Sequence, residues 1–268
     1  MGGRSPLFLA FWLLGGLLLL FIALPIVELL LAQQPARLLA VAGMADVRAA
    51  VALSLEAAAT TALLAGLLGT PLGYLLARRS FRGKRWLEAL VDLPLAVPHT
   101  VAGIALLFAF GRTGPLGRLA ALAGVRFWGS FAGVVVAMLF VSVPYMVNAA
   151  REAVAAVDPQ LEMAARSLGA GPGAAFLEVT LPLAWRGIAS GLVLTYARAI
   201  AEFGAVIVLA YYPETAPVKI YELFLSGGLA DSAAAALLLL AVTLGSFVLL
   251  RALVGRALPA GSHPGRRP

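Results

Sequence analysis

Residues Asp158–Pro182 read DPQLEMAARSLGAGPGAAFLEVTLP. This is a polar-patterned unit inside an otherwise apolar chain. The Asp158 side chain can cap a helix, and Pro159 suits the first helical position, where its missing N–H costs nothing. Leu161, Ala164, Ala165 and Leu168 then fall at i, i+3, i+4 and i+7, one apolar face of a helix. Gly169 suits the left-handed residue that ends such a helix. Gly171-Pro172-Gly173 predicts a turn, and a second short helix is expected from about Ala174 until Leu181-Pro182 stops it. A helix–turn–helix this amphipathic cannot span a bilayer. Between two membrane spans it would offer an apolar-edged surface to something outside the lipid. The plainer alternative is a surface hairpin with no partner.

Composition sets the class. The chain has 268 residues, of which 62% are hydrophobic and 12% charged. A soluble domain carries about 25% charged residues, so this balance predicts an integral membrane protein. There is no Cys, which excludes disulfides and thiolate metal sites. Two His, His99 and His263, are too few for a His-based metal cluster. The net charge of +7 sits in loops between apolar runs, so it reads as membrane topology and not as nucleic-acid binding. The opening MGGRSPLFLAFWLLGG resembles a signal peptide at first. Its apolar run continues to about Ala32 with no small-residue cleavage site, so we read a retained span.

A bilayer core of about 30 Å needs about 20 apolar helical residues. Six stretches qualify: roughly Leu7–Ala32, Val51–Ala77, Leu90–Phe110, Phe131–Ala149, Gly187–Ala210 and Ala233–Leu253. The expected fold is therefore all-α and integral to the membrane, with six transmembrane helices. With a cytoplasmic N-terminus, 13 of the 20 Lys and Arg lie in inner segments and 6 in outer loops, with Arg198 inside a span. This bias predicts both termini and the 158–182 loop on the cytoplasmic side. Arg112, Arg118 and Arg126 are a counter-signal, outweighed by the denser RRSFRGKR cluster at 78–85. Three segments are expected: 1–50 as first span and outer loop, 51–253 as the core domain, and 254–268 as a cytoplasmic tail, disordered from about Pro259.

Two spans carry unusual chemistry. In the third, LPLAVPHTVAG places Pro94 and Pro98 inside a hydrophobic run, just before His99 and Thr100. Proline bends a helix, and such breaks persist in membranes where they are buried in protein or line a cavity. Packing alone could also account for a kink. In the fifth, Arg198 and Glu202 stand one helical turn apart. Gly187, Gly191, Thr195, Arg198 and Glu202 share a small-to-polar stripe. Intramembrane charges suggest function by default, although a self-neutralised pair fixing helix packing is the plainer alternative. There is no Gly-x-x-x-x-Gly-Lys-Ser/Thr loop for nucleotide. An intramembrane protease would need a nucleophile beside His99, and no serine motif accompanies it. A carboxylate-driven secondary transporter using Glu56, Arg198 and Glu202 would be expected to show inverted repeats, and none is visible.

The 158–182 stretch resembles the cytoplasmic coupling loop of ABC-importer permeases. That pattern is Glu-Ala-Ala, three residues, Gly, nine residues, Ile, one residue, Leu-Pro. Here Met163-Ala164-Ala165 is followed by Gly169, Val179, Leu181 and Pro182 with the full spacing. Met163 departs from the usual Glu, while Glu162 stands directly before it. The LPLAVPHTVAG run with GRTGPLG at 111–117, and the Glu202–Ala205 and Thr215–Glu222 segments, resemble the molybdate, tungstate and sulfate members.

The resemblance implies a type I ABC-importer permease fold and transport of a tetrahedral oxyanion, tungstate or molybdate first and sulfate or thiosulfate second. It implies no cofactor in this chain, with ATP and Mg on a partner ATPase. That ATPase would be contacted by Glu162, Met163, Ala164, Ala165, Leu168, Gly169 and Ala170. It also implies a second copy of the chain, an ATPase dimer, an extracytoplasmic binding protein and a place in the inner cell membrane. Candidates for the translocation path are His99, Thr100, Thr195, Arg198 and Glu202. No catalytic or metal site is expected.

Overall fold

The computed structural model describes residues 6–256. Its helices are α1 (Pro6–Leu31), α2 (Pro35–Gly43), α3 (Ala45–Arg78), α4 (Lys84–Ala96), α5 (His99–Phe110), α6 (Pro115–Leu122) and α7 (Phe131–Ala155). They continue with α8 (Pro159–Ser167), α9 (Pro172–Ala175), α10 (Leu181–Ile200), α11 (Gly204–Leu209), α12 (Ala216–Gly227) and α13 (Leu229–Arg256). A π-turn over Phe176–Thr180 joins α9 to α10. No strand occurs among the described residues. The expected tail from Pro259, with His263, lies outside them.

The centre of the molecule is α3, α7 and α10, packed on one another. Small residues let these backbones approach. A Cβ at Gly73 would lie 2.7 Å from the Ala150 side chain and 2.9 Å from the Arg151 nitrogen. Gly187 and Gly191 face Ala153 and Ala149 of α7 in the same way. The glycine part of the stripe read from the sequence is thus a packing seam against α7. α13 closes one side with α12 and α2, while α1 lies at the periphery, its apolar surface exposed.

Among the described residues five runs are long and apolar enough to cross a membrane: α1, α3, α7, Pro172–Ile200 and α13. The expected third span, Leu90–Phe110, is not one straight helix. It is α4 and α5, bent by 115° at residues 97–98. The residue before a proline is disfavoured in the α region. Val97, ahead of Pro98, is accordingly extended at φ −82° and ψ 129°. Pro94, by contrast, sits inside α4 without ending it.

The fifth span also differs from expectation. Leu181-Pro182 does not stop a helix; the run continues from Pro172 to Ile200. Pro182 lies in the first turn of α10, where a missing N–H is tolerated, and the π-turn carries the chain into it with Leu181 N–H donating to the Phe176 carbonyl. The run then ends at Ile200, not Ala210, and α11 restarts at Gly204. Glu202 therefore lies in a break between helices.

Candidate functional site

Two sites emerge at opposite ends of α10. The first is the 158–182 loop. Asp158 caps α8 as expected, accepting from the Gln160 N–H at 2.9 Å, and Pro159 occupies the first turn. Gly169 adopts φ +97°, the left-handed ending that the sequence predicts. The apolar face of α8 does not bury itself in this chain: Leu161 is 46% exposed, Met163 56% and Leu168 90%. Ala165 and Ala170 are half-buried, and Ala164 is exposed.

Glu162 points the other way. Its carboxylate accepts from Arg78 Nε at 2.7 Å, Thr180 Oγ1 at 2.5 Å and Tyr74 OH at 3.0 Å. Arg78 also donates to the Val157 carbonyl at 2.9 Å. One carboxylate thus ties α8 to the end of α3 and to the π-turn that leads into α10. Burial alone would raise the Glu162 carboxyl. The hydrogen bonds from Thr180, Arg78 and Tyr74 outweigh it and hold the group below its ordinary value. Tyr74, Arg78 and Thr180 were not legible as site residues. The only hint was Arg78 in the basic cluster.

The second site lies where two helix breaks meet. His99 opens α5 after the 115° bend, and Glu202 stands between α10 and α11. Arg198 Nη2 donates to Glu202 Oε2 at 2.8 Å and lies 2.9 Å from His99 Nε2. His99 Nδ1 is 3.2 Å from Glu202 Oε2. Arg198 Nη2 also lies 3.1 Å from His99 Nδ1, so it approaches both ring nitrogens at once. Glu202 Oε1 accepts the Ala205 N–H at 2.8 Å and so caps α11. The side chains grade outward, with Glu202 fully buried, Arg198 18% exposed and His99 44% exposed.

Close backbone packing holds these two breaks together. A Cβ on Gly204 would lie 2.7 Å from His99 Cβ, and one on Gly103 would lie 2.8 Å from Val208 Cβ. The structure brings His99, Arg198 and Glu202 into one cluster. Thr100 is beside them and exposed. Thr195 lies one turn before Arg198, fully buried, its hydroxyl lacking a hydrogen-bond partner among the described residues. From Pro182 to Arg198 the helical rise is roughly 24 Å, so the two sites stand nearly a membrane thickness apart. Among the described residues no cluster of three or more His, Cys, Asp or Glu could hold a metal.

The fold and these two sites define a class, the membrane-spanning subunit of a type I ABC importer. The chain resembles two solved transporters over most of their length. One is a bacterial ABC transporter involved in import of the acidic polysaccharide alginate, with TM-score 0.68, 21% identity, and 92% of this chain and 96% of that chain covered. The other is the MetNI methionine ABC transporter, with TM-score 0.62, 17% identity, and 79% and 94% covered. At these identities the likeness concerns the fold.

Residues 69–258 match the family described as binding-protein-dependent transport system inner membrane component, and the chain belongs to it. It is a multi-pass membrane protein. A molybdate/tungstate transport system permease protein of Thermococcus kodakarensis is 45% identical over 91% of this chain and 94% of its own length. A probable molybdenum ABC transporter permease protein of Haloferax volcanii is 45% identical over 90% and 88%. A molybdenum transport system permease protein of Escherichia coli is 40% identical over 75% and 90%.

Proposed function

We propose that this chain is the permease subunit of an ATP-driven importer of tetrahedral oxyanions, tungstate or molybdate first and sulfate second. The observation that carries this reading is the 45% identity, over nearly the full length of both chains, to a permease named for molybdate and tungstate. The chain acts as a transport subunit, not an enzyme. ATP and Mg are held by a separate ATPase dimer, and an extracytoplasmic binding protein delivers the anion. Two copies of this chain form the pore in the inner cell membrane, with both termini cytoplasmic.

The exposed edge of α8, formed by Leu161, Met163 and Leu168 with Gly169 and Ala170 behind it, docks into a groove on the ATPase. Glu162 does not reach the partner. It fastens α8 to α3 and to the π-turn, so a push on α8 is delivered to both helices at once. Met163 supports an apolar partner groove where relatives of the wider family place a carboxylate.

At the far end, Arg198 and the His99 ring flank the passing anion. Glu202 neutralises Arg198 between passages, which favours a weak, releasing contact over tight binding. Thr100 and Thr195 lie along the same path. The test is uptake by the chain reconstituted with its ATPase and binding protein. ATP-dependent tungstate and molybdate uptake exceeding sulfate uptake supports the reading. Uptake driven by a proton gradient without the ATPase overturns it.

A further inference from the structure

The basic segment 111–128, which ran against the topology rule, is unused by the function proposed above. Arg112, Arg118 and Arg126 are its charges, and no Asp or Glu occurs anywhere from residue 93 to residue 151. Among the described residues none of these three arginines has a carboxylate within ion-pair distance.

Two of them gather around one feature. Arg112 and Arg126 line a cavity of about 340 Å³ together with Gly117, Ala121 and Trp128. The Arg112 guanidinium sits 4.2 Å from the centre of the Trp128 ring. This contact holds the guanidinium against the indole face, and an arginine fork in such a place suits a phosphate.

The neighbouring helix explains what kind of phosphate. On α6, Leu116, Leu119 and Leu122 are 44%, 64% and 86% exposed. Their spacing of three places them on one 120° stripe, while Gly117 and Ala121 face the cavity. Arg118 lies on the flank between the two. The helix joins α5 to α7, so it sits where the chain turns at a membrane boundary. A short helix with one bare leucine face, flanking arginines and a tryptophan is the pattern of a segment lying in the headgroup plane.

We propose that Arg112, Arg126 and Trp128 form a binding site for the headgroup phosphate of an anionic phospholipid, with the leucine stripe of α6 seated in its acyl chains. The arginines satisfy the phosphate, and the leucines leave water in the same step. This seats α6, and through it the outer end of α5, against the membrane.

The experiment uses the full chain with Trp12, Trp86 and Trp185 changed to Phe, so that Trp128 is the sole tryptophan and is excited selectively. It is placed in phosphatidylcholine nanodiscs doped with brominated phosphatidylglycerol or brominated phosphatidylcholine. The expected result is stronger Trp128 quenching by phosphatidylglycerol. R112Q and R126Q should each weaken the apparent affinity about fivefold, and the pair should bring quenching to the phosphatidylcholine level. R112K/R126K keeps the charge, loses the planar fork, and should retain part of the preference.

Equal quenching by the two lipids in the parent chain overturns the proposal. So does relief of quenching by millimolar potassium phosphate or tungstate, which would assign the site to a soluble oxyanion. Unchanged quenching in R112Q/R126Q likewise overturns it.

Discussion

Glu162 is a carboxylate whose partners decide its role. Arg78 and Glu162 have side chains only 10% and 13% exposed, so removing one leaves the other poorly solvated. Breaking a fully buried pair costs about 3–5 kcal/mol; for this partly wet one we expect about 2 kcal/mol from E162A, spent on the docking of α8. E162A should lower uptake several-fold while the ATPase still binds ATP, as read by uptake per ATP hydrolysed. The same group sets a pH dependence. Its folded-state pKa lies below the ordinary 4.5, so its contribution is complete above that value and lost as pH falls through the folded-state pKa. A spin label at Leu168→Cys should gain mobility below about pH 4.5, and E162Q should flatten that change; an unchanged profile in E162Q would remove Glu162 as its source. At the other end, R198A leaves the fully buried Glu202 with His99 and the Ala205 N–H alone. Transport should fall at least tenfold, and R198K should restore little, because Lys lacks the planar fork. Wild-type uptake in R198A would leave the cluster a packing device only.

At the scale of elements, two glycines are required for different reasons. Among the described residues nothing lies within 4 Å of where a Cβ on Gly169 would sit, so the constraint is its φ of +97°. A bulky residue there should cost about 1–2 kcal/mol in local conformation and misdirect the end of α8. G169F should uncouple ATP hydrolysis from uptake while the spans still fold. Gly103 is constrained by space: its Cβ would meet Val208 at 2.8 Å and the Ala205 backbone at 3.0 Å. G103L should part α5 from α11 and destabilise by about 1–3 kcal/mol, seen as a lower melting temperature in detergent. The contrast also explains what could be read in advance. Asp158 acts through a carboxylate that reaches only two residues along the chain, and Pro159 and Gly169 act through their own backbone, so both ends of α8 were legible from local sequence. The Arg198–Glu202 pair was legible by its spacing, and Pro98 signalled a break. Local patterns could not show that the break is a 115° bend, because the angle depends on how α5 packs on α11. Nor could they place Tyr74, Arg78 and Thr180 around Glu162, since those contacts span up to 88 residues. The continuation through Pro182 was missed because a π-turn has no sequence signature of comparable strength to a proline.

For the whole molecule, the question is how a push at α8 reaches Arg198 roughly 24 Å away along α10. The chain offers a rigid route. The α3, α7 and α10 seam is packed through glycines and alanines too tightly to deform gradually, so a displacement of α8 moves these helices together. The broken elements, α4–α5 and α10–α11, meet at the far end, where close packing joins them as one unit. On the docking proposed above, one α8 per chain would give each ATPase a single handle, and a shared pore would need a second wall facing the His99 cluster. The bare surface of α1, exposed along its length, leaves ample apolar area for lipid or a second copy. We therefore expect native mass spectrometry of the assembled transporter to show two copies of this 27.7 kDa chain with two ATPases. E162A should retain that stoichiometry, because Glu162 faces α3 and not the partner, whereas L168E on the exposed edge should shed the ATPases. A complex of one permease chain with one ATPase that still imports would end the shared-pore argument. Loss of the ATPases from E162A with L168E intact would reverse the assignment of the two faces of α8.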